Sequence, residues 1–421
     1  MAPVPEPGSG REEQTVEGRP GDGAGLDGGG PAEPVPLPVE GDRPLAATIA
    51  RVLPTHGVGT VPAMPSAPPP SDADPGTAAG AGSPRQAPAA FRAFVVARTG
   101  ADGEGVESGV RTLSPDDLPP GAVDIAVDWS AVNYKDGMVT RPGNRVARIS
   151  PLVPGVDLVG TVASSTDATV VPGDRVIVHG YDLGVAHHGG FAEWARVPAE
   201  WVVPLPAGLD GRQAATIGTA GFTAALSLHR LEQRGLRAGD GPVLVTGATG
   251  GVGSMAVALL ASRGYEVVAS TGKASERAYL TGLGAAEVID RTELLQSAGR
   301  TLGPERWAAA VDCVGGPTLA AVLRSLRYEA AVAASGLTGG NALETTVYPF
   351  IVRDATLIGV DTVLTPIGER RRVWAEMATA FPPALLEDMV DGVVDLDELP
   401  SVLDRNQAGG SRGRTLVRPR P

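Results

Sequence analysis

The amino-acid sequence predicts an α/β protein that combines a doubly wound parallel sheet with a smaller β-rich domain, behind a disordered N-terminal extension. The first observation is the stretch Val243–Ser270, in which an apolar run, a glycine-rich turn, a helical pattern and a second apolar run follow one another. The second is the alternation of strand-like and helical patterns beyond it, which is typical of a parallel sheet. The third is a series of short alternating strands before it, separated by Gly and Pro turns.

The glycine-rich turn reads GATGGVG and predicts a dinucleotide site. A nucleotide pyrophosphate approaches the N-terminus of a helix closely only where side chains leave the backbone N–H groups free. Gly250, Gly251 and Gly253 leave that room. Ala248 stands where the G-x-G-x-x-G pattern has its first glycine, so an ordinary tight turn is the alternative. The strand before the motif and the helix after it favour the nucleotide.

The end of the second strand indicates which dinucleotide is bound. NAD binding places a carboxylate there for the ribose hydroxyls, whereas NADP binding needs hydroxyls and a cation for the 2′-phosphate. The segment Ser270–Arg277 reads STGKASER, with no carboxylate at the strand tip and with two cations, Lys273 and Arg277. We therefore expect NADP as the cofactor. The alternative is that both cations are solvated surface groups.

Composition excludes several classes of protein. With 421 residues, 43% of them hydrophobic, the chain is long enough for two domains with their own cores. The chain has a single cysteine, Cys313, which excludes a disulfide framework. Because it also has only five histidines, a metal enzyme is not expected. The net charge of -13 argues against nucleic acid or an anionic membrane as a partner. The absence of a long apolar run or a leader pattern predicts a cytoplasmic protein.

The chain divides by composition and pattern into four segments. Residues 1–90 are rich in Pro, Gly and Ala, and we expect them to be disordered because they cannot bury enough apolar surface. Residues 91–212 carry the short strands of the β-rich domain, for example Ala122–Trp129. Residues 213–347 carry the dinucleotide-binding domain. Residues 348–421 are expected to return to the β-rich domain.

Two further loops are expected to line the cofactor. In a doubly wound sheet the ligand lies at the carboxyl ends of the strands. Asp312–Gly316 and Ser335–Gly339 follow predicted strands at such ends.

Eight short motifs follow one another between Phe91 and the C-terminus, and together they are more specific than the glycine turn alone. They are Asn133–Asp136, Pro154–Gly160, Gly189–Glu193, Ile217–Ala224, Gly247–Gly253, Leu283–Ala285, Thr345–Ile351 and Gly413–Val417.

In this order the motifs resemble the medium-chain dehydrogenase/reductases, and more closely their acryloyl-CoA reductase branch, long labelled quinone oxidoreductases. The resemblance implies a GroES-like β-rich catalytic domain and a Rossmann domain that binds NADPH. The family's zinc alcohol dehydrogenases have a cysteine where this chain has Asn133, and a Gly-His-Glu motif where it has Gly155-Val156-Asp157. A catalytic zinc needs three protein ligands, so the sequence predicts a zinc-free reductase.

The resemblance also implies the reaction. The expected reaction is reduction of a short enoyl-CoA, by resemblance acryloyl-CoA, which gives propanoyl-CoA. Hydride adds to the β-carbon, so that negative charge builds on the thioester oxygen. Tyr134 is the candidate for passing the proton or for binding cofactor or substrate, with a loop anchor as its alternative. Asn133 either orients the oxyanion or caps a turn. Asp136 and Asp157 are expected to fix loops.

Cofactor contacts are carried over from the family residue by residue. Besides Tyr134 and the glycines of the turn, the residues implied to contact NADP are Val252, Ser254, Thr271, Lys273, Ser275, Arg277, Arg291, Leu337, Phe350 and Arg414. The resemblance also implies a homodimer.

The substrate side is less determined. A CoA thioester carries several phosphate charges, so an acidic protein needs a local cation to bind it. Arg145, between Arg141 and Arg148, is the candidate, and a solvated loop is the alternative. Reduction of a quinone by NADPH on the same fold, and an NADPH-binding regulator acting through residues 1–90, are the competing functions.

Overall fold

The computed structural model describes residues 87–100, 103–297 and 299–420. All of them belong to one compact unit, Pro75–Pro421. The predicted disordered extension, residues 1–90, lies outside the described residues except for its last four. Fifteen strands form within the described part: β1 Phe91–Thr99, β2 Gly105–Leu113, β3 Val123–Ala131, β4 Asp157–Ser165, β5 Arg175–His179, β6 Trp194–Val197, β7 Val203–Pro204, β8 Val243–Val245, β9 Val267–Thr271, β10 Glu287–Asp290, β11 Trp307–Asp312, β12 Leu326–Ala334, β13 Thr356–Gly359, β14 Val390–Val394 and β15 Arg414–Val417.

Helices separate the strands mainly in the second half of the chain. Among the helices that the structure describes, none combines the length and apolar character needed to span a membrane. The α-helices are α1 Tyr134–Met138, α2 Gly211–Gln233, α3 Gly251–Ser262, α4 Arg277–Gly282, α5 Arg291–Leu294, α6 Gly316–Ser325, α7 Tyr348–Arg353, α8 Ile367–Ala380, α9 Pro383–Asp388 and α10 Leu399–Gln407.

The β-rich part is a seven-stranded sheet beside a two-stranded one. The larger sheet has the order β14-β15-β3-β4-β5-β7, with β6 paired to β3, and β1 pairs with β2 in an antiparallel ribbon. Strands β3, β4 and β5, which the short alternating runs predict as strands, are antiparallel neighbours. In the β4–β5 register Asp157 lies opposite His179, so both side chains are on the same face of the sheet.

The predicted doubly wound sheet is confirmed as a six-stranded parallel sheet with the order β10-β9-β8-β11-β12-β13. The chain runs outward from β8 through β9 to β10, then returns to β11 and continues to β13 on the other side. The reversal between β8 and β11 is the topological switch point, and ligands of such sheets bind outside it at the carboxyl ends of the strands.

The six-stranded sheet extends past residue 347, the predicted end of the dinucleotide-binding domain. Its sixth strand, β13, pairs with β12, and the chain rejoins the first sheet only with β14. Strand β13 is four residues long and alternates between half-buried and exposed positions, as an edge strand does. So short and half-exposed a run gives little sequence signal, which explains the difference.

The long helix α2 holds the two sheets together. One hydrophobic cluster runs from Val159 and Ile177 of the first sheet, through Phe222 of α2, to Val243 and Val245 of the second. Helix α2 is bent at Gly218, whose φ of 47° and ψ of -157° interrupt the helical backbone. An added Cβ there would lie 2.5 Å from the carboxylate of Asp157, so the bend brings the helix against the β4 strand.

Candidate functional site

The glycine turn lies at the switch point and is tied to the neighbouring loop. The Thr246 hydroxyl, which follows β8, donates to the Asp312 carboxylate at the end of β11, over 2.7 Å. The second oxygen of Asp312 accepts from the Gly315 N–H at 2.7 Å. Burial raises the pKa of Asp312. One buried carboxylate therefore fixes both edges of the crevice into which the cofactor would fit.

Helix α3 starts at the turn as a pyrophosphate site requires. A Cβ added to Gly253 would lie 2.4 Å from the Gly247 carbonyl oxygen, so only glycine permits this approach of helix to strand. The Ser254 N–H donates to the Gly250 carbonyl, which leaves the first N–H groups of α3 without an intrahelical acceptor. Gly250, Gly251 and Val252 are half-exposed at this end.

Ser254, a predicted cofactor contact, lies in the first turn of α3. Its side chain is fully buried, and its hydroxyl donates to the Ala248 carbonyl at 3.2 Å. The reason is that α3 is buried from Gly253 to Leu260 on all sides between the sheet and α2, so a small hydroxyl there bonds internally.

A cationic corner surrounds the ends of β9 and β10. The Lys273 ammonium donates to the Ser411 carbonyl, and burial lowers the pKa of Lys273. The Arg291 side chain lies against Gly272, where an added Cβ would be 2.6 Å from its Nε. Arg277 is exposed and donates to the Val288 carbonyl at 2.6 Å. The structure thus brings the three predicted cations to one corner.

The hydroxyls predicted for this corner differ in position. Thr271 is nearly buried, and its Oγ1 accepts from the Lys273 N–H at 3.0 Å, while the Thr249 hydroxyl lies 3.4 Å away. Ser275 is exposed beside the cations. Thr271 therefore shapes the turn, and Ser275 presents a hydroxyl at its surface.

Two predicted contacts lie beyond β12. Leu337 is 47% exposed on the loop that follows this strand, next to the Asp312–Gly316 loop. Phe350 on α7 is half-buried and packs against the hydrophobic cluster beneath the sheet. Leu337 therefore presents an exposed side chain beyond the carboxyl end of β12, and Phe350 is largely part of the core.

The predicted catalytic pair lies at the start of α1. Tyr134 is half-buried, and its backbone carbonyl accepts from the Gln407 side chain of α10 at 2.8 Å. Asn133 precedes it, and its amide nitrogen donates to the Ala131 carbonyl at 3.1 Å and to the Asp157 carboxylate at 2.8 Å. Both amide hydrogens of Asn133 are used, so this side chain has no donor left for a substrate oxyanion.

Asp136 holds the next loop against α1. One oxygen of its fully buried carboxylate accepts from the N–H groups of Gly155, at 3.1 Å, and Val156, at 3.0 Å. The other accepts from the Asn133 N–H at 2.8 Å. Burial raises the pKa of Asp136 to about 7, and the charge of Asp157 adds to the rise. The expectation that Asp136 and Asp157 fix loops agrees with these contacts.

Arg414 is the centre of this arrangement rather than a surface contact. Its guanidinium is 2% exposed and donates to the Asp157 carboxylate at 3.1 Å, to the side-chain amide oxygen of Asn133 at 3.1 Å and to the Thr216 backbone carbonyl at 3.0 Å. A Cβ on Gly251 would lie 3.0 Å from it, so Arg414 sits beneath the start of α3. Within the described residues it joins the Asn133–Tyr134 turn to the glycine turn.

Asp157 makes more contacts than the loop-fixing role predicted for it requires. It accepts from the N–H and the hydroxyl of Thr219, both at 2.7 Å, and thereby holds the bend of α2. An acidic residue at the start of a largely buried strand is the signal that marks it.

Arg145 lies on the exposed loop between α1 and β4. Its neighbours are tied down, since Arg141 pairs with Asp404 at 2.9 Å and Arg148 with Asp182 at 2.7 Å. Arg145 itself forms no ion pair with the residues that the structure describes. It is the available cation of the three.

The positions of the zinc ligands do not fit a metal. An amide committed to Asp157 stands at Asn133, and an apolar side chain stands at Val156. Over the described ranges, no cluster of three or more His, Cys, Asp or Glu side chains is arranged to hold an ion.

Comparison with known families matches both halves of the chain. Residues 119–207 match the alcohol dehydrogenase GroES-like domain, and residues 251–379 match the model described as zinc-binding dehydrogenase.

Individual relatives agree over nearly their whole length. The acrylyl-CoA reductase AcuI of Ruegeria pomeroyi is 47% identical over 327 residues, covering 78% of this chain and 98% of that protein. The crystal structure of YhdH from Salmonella enterica in complex with NADP is 42% identical with a TM-score of 0.75, covering 78% of this chain and all of that one. YhfP of Bacillus subtilis, which carries a quinone oxidoreductase name, is 47% identical over 73% of this chain and 94% of its own, and its crystal structure has NAD bound.

Proposed function

Since the chain belongs to the zinc-free acryloyl-CoA reductase branch of the medium-chain dehydrogenase/reductases, we propose that it reduces the carbon–carbon double bond of acryloyl-CoA to give propanoyl-CoA, with NADPH as reductant. The observation that carries the proposal is the single buried network through Arg414. This network places the Asn133–Tyr134 turn beside the glycine turn at the start of α3.

NADPH is the cofactor that the crevice fits. The free N–H groups of α3 suit a pyrophosphate, and Lys273, Arg277 and Arg291 offer positive charge where a 2′-phosphate would lie. When bound, the cofactor supplies a hydride. The chain's own residues bind and orient it from Gly250 to Gly253 and at the cationic corner.

On the substrate, hydride addition to the β-carbon leaves an enolate that must be stabilised and then protonated at the α-carbon. Tyr134 is the residue proposed to donate a hydrogen bond or pass the proton, because its hydroxyl has no partner among the described residues. Asn133 acts through position, since its amide is fully used by Arg414, Ala131 and Asp157. Catalysis would rest mainly on orientation.

The substrate's CoA phosphates are proposed to meet Arg145. The two ion pairs at Arg141 and Arg148 hold its loop without neutralising it. A cytoplasmic location belongs to the same proposal, because the reaction draws on intracellular pools of NADPH and CoA thioesters.

A homodimer is proposed through strand β13 and helix α7. Within the described residues β13 pairs with β12 alone, so its outer edge is open. Ile351 and Val352, 72% and 51% exposed, and Leu357 add apolar surface beside that edge. An open edge with apolar neighbours is a template for a second copy related by a two-fold axis. Sedimentation of wild type and of Ile351→Glu tests it, with a monomer expected only for the variant.

Reduction of a quinone is the second candidate, favoured by the name that YhfP carries. The test measures NADPH oxidation with acryloyl-CoA, crotonoyl-CoA and a benzoquinone at equal concentration. A kcat/KM for acryloyl-CoA at least ten-fold above the others supports the proposal. Activity with the quinone alone would overturn it in favour of the second candidate.

In Tyr134→Phe we expect a lower kcat with acryloyl-CoA at unchanged NADPH affinity.

A further inference from the structure

A second buried cation lies one layer away from the catalytic network. Arg370 on α8 is fully buried, and its guanidinium donates to the carbonyls of Thr362, at 3.1 Å, and Thr365, at 3.3 Å. It also lies 3.0 Å from a ring nitrogen of buried His179, the residue opposite Asp157 in the sheet. Over the described ranges Arg370 has no carboxylate within ion-pair distance. A buried cation without an anion costs free energy, so its presence calls for an explanation.

The guanidinium lies over a residue with an unusual backbone. Tyr181 has a φ of 51°, a left-handed conformation that is uncommon for a bulky side chain. The Arg370 guanidinium lies 4.7 Å from the Tyr181 ring, and Trp201 stacks on the same ring at 5.3 Å with 9° between the planes. The Tyr181 N–H donates to the Val363 carbonyl at 2.8 Å. Arg370 therefore clamps Tyr181 to segment 362–365.

Tyr181 begins a loop that packs against the Gly155 loop and against the segment that carries Arg145. Gly184 packs so closely that an added Cβ would lie 2.9 Å from the backbone of Gly155, whose N–H donates to the Asp136 carboxylate. Asp182 forms the ion pair with Arg148, and the Arg148 N–H donates to the Val185 carbonyl at 2.9 Å. The loop from Tyr181 to His188 thus adjoins both the catalytic turn and the Arg145 loop.

We propose that Arg370 is a positioning residue for the acyl acceptor: by clamping Tyr181 it sets the loop that forms the substrate side of the cleft, without touching the cofactor. The inference rests on the proposed function for the identity of the acceptor. It assigns a role to a buried cation that neither the hydride step nor the dinucleotide site uses.

The test compares Arg370→Lys, which keeps the charge but loses the planar fork, with Tyr181→Leu, which removes the clamped ring and leaves the cation in place. Arg371→Met is the matched control, because Arg371 is the next residue of α8 and is exposed. For each variant, kcat and KM are measured with acryloyl-CoA. The Kd for NADPH is measured by fluorescence titration without an acceptor.

We expect kcat/KM for acryloyl-CoA to fall at least ten-fold in Arg370→Lys and in Tyr181→Leu, through a higher acceptor KM, while the Kd for NADPH stays within two-fold and the control is unchanged. An acceptor kcat/KM within two-fold of wild type in a folded Arg370→Lys or in Tyr181→Leu would overturn the proposal. So would a proportional loss of NADPH affinity. If the wild-type protein reduces only a quinone, the proposed function is overturned instead. The kcat/KM of each variant relative to wild type is then measured with the quinone as acceptor.

Discussion

The guanidinium of Arg414 donates to the carboxylate of Asp157 over 3.1 Å, although the two residues are 257 positions apart and their side chains are only 2% and 3% exposed. Both partners also bond to Asn133, so this contact ties β15, the last strand of the chain, to the Asn133–Tyr134 turn. A buried ion pair is weak evidence for stability by itself, but losing one partner leaves the other charge buried and uncompensated.

Arg414→Met is therefore expected to lower the free energy of unfolding by about 3–5 kcal/mol. Urea denaturation followed by circular dichroism measures it. Arg92→Ala serves as the control, because Arg92 and its partner Asp397 are 40% and 62% exposed and such a pair contributes about 0–1 kcal/mol. A loss no larger than the control's would show that Asp157 is not left as an uncompensated buried charge when Arg414 is removed.

Glu329 offers a stabilising substitution. It lies in β12 where the register to β11 shifts, and its φ is 60°. A left-handed conformation costs a residue with a Cβ about 1–2 kcal/mol. Glycine avoids this cost, but it loses more conformational entropy on folding, which offsets part of the gain. We expect Glu329→Gly to raise the free energy of unfolding by about 0.5–1 kcal/mol. Glu329→Ala keeps the Cβ and should leave the melting temperature unchanged, and an equal rise in both would contradict the explanation.

Acid stability should depend on His188. Burial, with a smaller contribution from His187, lowers the pKa of His188 to about 4, and the ring accepts the Val153 N–H at 3.3 Å. The unfolded chain takes up this proton near pH 6.5 and the folded protein only near pH 4, so stability is full above pH 6.5 and falls as the pH drops towards 4.

The variant His188→Asn removes this titration and keeps an acceptor. Its unfolding free energy, measured from pH 7.5 to pH 4, should fall less steeply than that of wild type. His179 and His187 have pKa values lowered in the same direction by burial, so part of the slope remains. Parallel curves for the two proteins would refute the role of His188.

The parallel sheet and the dinucleotide turn could be predicted from the sequence because the patterns that indicate them are local. The glycines, the apolar period of α3 and the strand before them stand within one short stretch, and β8, α3 and β9 form within it. The buried network around Arg414 has no such local signal. Arg414, Asp157 and Asn133 meet only after the chain has returned from the second sheet, and no local pattern specifies that contact.

The same distinction accounts for two features of the structure that the sequence does not signal. Ser254 follows the glycines in sequence, but helix burial on all sides turns it into the core. Strand β13 is too short and too exposed to be recognised, although it forms the edge of the sheet. Loop-fixing by Asp136 was predictable only as a tendency, since its three N–H donors come from two segments.

Discrimination between NADPH and NADH should depend on Lys273. A hydrogen bond between a cation and a phosphate contributes about 1.5–3 kcal/mol, so Lys273→Ala should raise the KM for NADPH about ten-fold or more. The kcat/KM with NADH should stay within two-fold, because NADH has no 2′-phosphate. Arg111→Ala, at an exposed site on β2, is the control. An equal loss with both cofactors would mean that Lys273 supports the turn through its bond to Ser411.

Charge at Arg145 should act on the acceptor alone. In Arg145→Glu a phosphate-bearing thioester meets repulsion instead of attraction, so we expect its KM to rise about ten-fold, less so at high salt, since added ions screen exposed charges. A small quinone carries no phosphate, and its KM should not change. Arg300→Glu makes the same change in net charge at another exposed arginine, on the segment that precedes β11. If both variants raise the thioester KM equally, the effect comes from the net charge of the protein. A rise confined to Arg145→Glu assigns the CoA phosphates to this loop.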